Sequence, residues 1–158
     1  MKILLSSLIA LIGTTQVHAA FNEILKVNSV REDGVTFVFM GRLKEAIDEL
    51  ETAVRLSSGN PRFEAYLAYA YAAAGRPLDA RRILKALEAR AKQQYVSGFG
   101  LALIYDAIGE REPALAAFER AYQDRAVEFS QMPQYPPFKT IASDPRYQAR
   151  MREIGLPR

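Results

Sequence analysis

Few side chains in this sequence are suited to chemistry. The only histidine, His18, lies within the first twenty residues, and there is no cysteine. A disulfide framework and a thiolate metal site are thereby excluded. Imidazole general-base catalysis would rest on one residue that removal of a leader takes away. No phosphate-cradling glycine loop, Gly-x-Ser-x-Gly elbow or His-Glu-x-x-His pair occurs. The acids Asp48, Glu49 and Glu51 fall on a helix surface and cannot be paired by spacing. Arg76, Arg81, Arg82, Lys85, Arg90 and Lys92 make one helix basic, but Glu88 interrupts the stripe and no aromatic lies on it. Nucleic-acid binding needs base-stacking aromatics beside such a stripe, so it is read as a solvated face. The residues predict no catalytic group, no metal site and no cofactor.

The elements around these residues are written more clearly. Tyr71, Gly75, Ala80 and Leu84 recur 34 positions on as Tyr105, Gly109, Ala114 and Phe118. Counting back by the same interval reaches Phe37, Gly41, Ala46 and Leu50. A period of that length, built as helix, turn and helix, is the signature of a helical solenoid. Within it, Ala46, Ile47, Leu50, Ala53, Val54 and Leu56 form an apolar stripe at helical spacing. Asn60-Pro61 supplies a cap residue and a first-turn proline for the next helix, over Phe63–Ala74. Gly75 closes that helix, Pro77 opens its partner to about Lys92, and the plan repeats over Tyr95–Ile108 and Pro113–Tyr122. The small pairs Ala68 with Ala80, and Ala102 with Ala114, let the two helices of each pair approach closely. In the tail, Phe129–Phe138 is proline-rich and predicted to be extended against the last repeat. Asp144-Pro145 then starts a capping helix that Gly155 stops.

The beginning of the chain is read differently. Lys2, an apolar run over Ile3–Ile12 and Val17-His18-Ala19 make residues 1–19 an expected signal peptide. The run is too short to span a bilayer, which takes about 20 residues, and no cysteine follows it to carry a lipoprotein anchor. The expectation is a periplasmic or secreted chain with no stable membrane insertion after cleavage; a cytoplasmic chain is the alternative. Residues 20–40 admit two readings. Glu32-Asp33-Gly34 between apolar runs is a hairpin signal, whereas the repeat register makes the segment a degenerate first helix, as terminal repeats often are. The register favours helix. The composition, 49% apolar and 25% charged with a net charge of +3, is that of one modest globular domain over 41–158, with its capping tail at 128–158.

From Gly41 to Gly155 the sequence resembles tetratricopeptide repeat proteins. The run Tyr95-Val96-Ser97 through Leu103-Ile104-Tyr105 and the closing Ser143-Asp144-Pro145-Arg146-Tyr147 resemble the C-terminal repeat blocks of bacterial signalling proteins. The resemblance implies an all-α fold of antiparallel helix pairs in a right-handed superhelix, ended by a C-terminal capping helix. It implies a non-enzymatic scaffold that binds a protein or peptide on the concave face lined by the first helix of each pair. By register that face holds Ala65, Tyr69, Ala72, Ala73, Phe99, Leu103, Asp106 and Ala107. Chaperone-binding members grip a peptide carboxylate with lysine, asparagine and arginine; this face offers alanine, tyrosine, phenylalanine and leucine instead, which suit a helix or an extended apolar segment. The resemblance leaves two alternatives open: an interaction block belonging to a cytoplasmic signalling protein, and a remnant without ligand. The chain's own Met132–Phe138 segment is the competing occupant of the groove.

Overall fold

The computed structural model describes residues 22, 26, 29–129 and 138–154. Among them the regular structure is helical: α1 (29–39), α2 (Leu43–Leu56), α3 (Pro61–Ala73), α4 (Pro77–Arg90), α5 (Gly98–Ala107), α6 (Arg111–Gln123) and α7 (Pro145–Ile154). The expected signal peptide and the stretch 130–137 lie outside the described residues.

Each pair turns in the same way. Gly41, Gly75 and Gly109 stand just past α1, α3 and α5 with φ of +73°, +73° and +84°, a left-handed conformation that glycine adopts without a Cβ penalty. Around Gly75, Arg76 N–H donates to Tyr71 O (2.9 Å) and Gly75 N–H to Ala72 O (3.1 Å). This is the double bond of a Schellman cap, which satisfies carbonyls the helix would otherwise leave open. The bonds Arg42 N–H to Phe37 O and Glu110 N–H to Tyr105 O repeat it at the other two turns. The turn therefore carries the 34-residue period as hydrogen bonds, and its first instance confirms 29–39 as helix rather than hairpin. Asp33 is exposed there, whereas its register partners Leu67 and Leu101 are buried. Among the described residues no helix packs over Asp33, so a polar side chain is tolerated there.

Helix α3 is the hub, packing on α2, α4 and α5; α5 then packs on α6, and α6 on α7. Asn60 Oδ1 caps α3 by accepting from Arg62 N–H (3.0 Å), and Pro61 takes the first turn, where a missing N–H costs nothing. The small residues set the spacing: Ala68, Ala80, Ala102 and Ala114 are fully buried where the paired helices meet. Gly98 and Gly100 bring helices closer still. A Cβ on Gly98 would lie 2.6 Å from Ala117 O, and one on Gly100 would lie 2.8 Å from Ala65 Cβ. Helix α5 begins at Gly98, later than the expected Tyr95, because Ser97 is extended and Arg120 takes the Val96 carbonyl (3.1 Å).

Helix α7 occupies the second-helix position of a further pair, since Pro145 stands 34 residues after Arg111. Asp144 caps it through Arg146 N–H (2.9 Å) and also receives Arg111 (3.0 Å). Arg146 reaches Glu112 (2.9 Å) and Arg150 reaches Glu119 (2.8 Å), fastening α7 to α6 with two ion pairs.

Candidate functional site

The residues expected on the inner face fall into two groups. Phe99, Leu103 and Asp106 of α5 are buried at 1%, 4% and 5% exposure, and Ala65 of α3 is buried against Gly100. Tyr69, Ala72, Ala73 and Ala107 are half-buried at the edge of the core. An open groove along all eight positions is therefore not formed. What closes the α5 half is the chain's own tail.

The tail docks through two kinds of contact. The first is aromatic. Phe129, in a short 3₁₀ turn at 127–129, and Phe138 both set their rings edge-on to Phe99 at 5.7 and 5.6 Å. The same two rings meet Phe118 of α6 at 5.5 and 5.6 Å, and Tyr147 of α7 closes the cluster 4.8 Å from Phe118. Edge-to-face pairs contribute about 0.5–1.5 kcal/mol each beyond the area they bury. The cluster joins the last repeat, the tail and the capping helix into one core.

The second contact is a carboxylate on backbone amides. Asp106 accepts from the N–H of Lys139 (2.7 Å), of Thr140 (2.8 Å) and of Ile141 (3.1 Å), and from the Thr140 hydroxyl. A carboxylate in the last turn of a helix faces the negative end of the dipole and is misplaced there on its own. Four donors offset that, and charge-assisted bonds of this kind are about twice as strong as neutral ones. The negative charge is felt nearby. Burial raises the Tyr69 phenol above its ordinary range and Asp106 adds to the shift. Tyr147 is pushed up to about 12, again by burial first and by Asp106 second. The turn also touches the start of α3, where Glu128 stands 3.8 Å from Arg62.

This arrangement holds a polypeptide by its main chain and by aromatic anchors. Among the described residues no cluster of three or more acidic or imidazole side chains could hold a metal. Sequence reasoning placed Asp106 on the face but missed its work. The signal was available: Asp106 is the one charged residue in Gly98–Ala107. It also missed Gly98 and Gly100, although two glycines around Phe99 inside a helix cost propensity and so point to close approach.

Residues 40–99 match the tetratricopeptide repeat family model. That stretch carries the tetratricopeptide repeat, and the described helices pack as the all-α helix pairs that the repeat prescribes. Such repeats are protein-binding modules and typically non-catalytic, so the chain is an interaction scaffold in that general sense. Comparison with curated proteins and with solved structures gave no match.

Proposed function

We propose that this scaffold binds a peptide or protein segment on the part of the inner face that its tail leaves accessible, around Tyr69, Ala72, Ala73 and Ala107. The observation that supports this is the tail itself. The same face, one register step further on, holds a stretch of polypeptide through Phe99 and Asp106. The half-buried remainder is apolar apart from the Tyr69 hydroxyl, which suits an apolar or aromatic side chain of the partner. A photo-crosslinking residue placed at Tyr69 tests it, with Leu78 as the control because that side chain is 82% exposed on another helix. Discrete protein adducts from position 69 and none from position 78 are expected. Adducts from both, or from 78 alone, would move the site elsewhere.

The resemblance of residues 1–19 to an export signal supports a periplasmic or secreted setting for this binding. N-terminal sequencing of the protein from cells should then find a chain beginning near Ala20; an intact Met1 would return the scaffold to the cytoplasm and favour the signalling-regulator alternative.

A further inference from the structure

Of the six cations that make α4 and its flanks basic, four are answered by acids. Arg76 bonds Asp79 (2.8 Å) and lies over the Tyr71 ring, Arg82 reaches Asp79 (3.4 Å), Arg81 pairs with Glu110, and Arg90 pairs with Glu64. Lys85 and Lys92 form no ion pair among the described residues, and both are exposed. They stand on one wall of a groove of about 670 Å³ between α4 and α6, whose other wall carries Arg120. The floor is apolar, made of Ala89, Leu101, Ala117 and the side of Tyr105. Among the described residues Glu88 is the only acid lining it, and its carboxylate is taken by the Tyr105 hydroxyl.

A second groove shows what this one lacks. Between α6 and α7, a cleft of about 530 Å³ has a similar floor of Leu115, Ala116, Phe118 and Ala149. There the walls are bridged, Glu112 by Arg146 and Glu119 by Arg150. One groove is closed by ion pairs across it; in the other, Lys85 and Lys92 face a wall that carries no acid among the described residues. We propose that the α4/α6 groove is a second docking site, separate from the inner face, for an acidic protein segment that also carries an apolar side chain for the floor. Complementary charge supplies steering and register in such a contact. A polynucleotide fits less well, since its affinity grows with the number of phosphates neutralised and three cations beside an acid offer few.

The test is fluorescence anisotropy of the full chain with a labelled peptide of glutamates and helically spaced leucines, run beside the same peptide with glutamines. Saturable binding of the glutamate peptide alone is expected, weakening as salt is raised. Lys85→Glu/Lys92→Glu should reduce affinity roughly tenfold or more, whereas Lys44→Glu, a charge reversal on α2, should not. Lys85→Gln/Lys92→Gln, which removes charge without adding repulsion, should lose binding with unchanged helical circular dichroism. No saturable binding, equal binding by the double variants, or preference for a single-stranded oligonucleotide over the peptide would overturn the proposal.

Discussion

Helices α3 and α5 offer the same four register positions to the same face and use them differently. Helix α3 presents Ala65, Tyr69, Ala72 and Ala73; 34 residues on, α5 presents Phe99, Leu103, Asp106 and Ala107. Where α5 has an aromatic platform, α3 has a methyl group, and where α5 has an amide acceptor, α3 has another methyl. Among the described residues, the tail's rings and amides meet these face positions on α5 and not those on α3. Two side chains at fixed positions on a common backbone thus decide whether the face grips a main chain. In a repeat array the scaffold is shared and the ligand is chosen by substitution at a few face positions.

Removing the platform should have the largest effect. Phe99→Ala takes away a ring buried among Phe129, Phe138 and the α5–α6 core, and should cost about 3–5 kcal/mol in urea denaturation. A loss below 1 kcal/mol would mean that the tail does not pack there. Removing the acceptor comes next. Asp106→Ala leaves the amides of residues 139–141 without their partner, and should cost about 1–3 kcal/mol because Ile141 is buried and water cannot replace the carboxylate everywhere. Its register partner gives the contrast: Ala72→Asp adds a carboxylate with no amides to meet, and should not gain stability.

Acid should separate the tail end from the hub, with the smallest effect on the molecule as a whole. The Arg146 side chain, then its backbone N–H, and then Arg111 hold Asp144 well below the usual carboxylate range. Arg146 lowers Glu112, and Arg150 lowers Glu119; the Tyr122 hydroxyl and Arg150 lower Glu153. Groups with depressed folded values stabilise the fold above their unfolded values, 3.8 for Asp and 4.5 for Glu, and lose that contribution as pH falls through the folded ones. Helix α7 should therefore loosen from α6 below about pH 4 while α3 and α4 persist. Residue-resolved NMR through an acid titration would show α7 amides broadening or shifting first. Simultaneous loss across all helices would deny α7 its dependence on these carboxylates.

Most of the fold was legible because the repeat states each turn more than once. Gly41, Gly75 and Gly109 fix three helix ends by a conformational requirement that no tertiary contact overrides. The ambiguity at Asp33-Gly34 arose because a local hairpin signal and the long-range register disagree at a terminal repeat. The register prevailed, with Gly34 so close to α2 that a Cβ would fall 2.6 Å from Leu50 Cγ. The inner face was legible as positions but not as surface. Whether Phe99 faces solvent or another phenylalanine depends on where a tail some thirty residues further along the chain returns, and periodicity carries no information about that. The α4 stripe was legible as charge, but which cations are answered depends on acids as distant in sequence as Glu64 and Glu110.

The most direct test is amide hydrogen exchange at Lys139, Thr140 and Ile141, measured by NMR on the unmodified chain. If the α5 half of the inner face is held by the tail through Asp106, the Thr140 and Ile141 amides exchange slowly in the native protein and become fast in Asp106→Ala, while the α3 amides hold their protection. Fast exchange at these positions in the native protein would leave the face open along its whole length and contradict the division between α3 and α5.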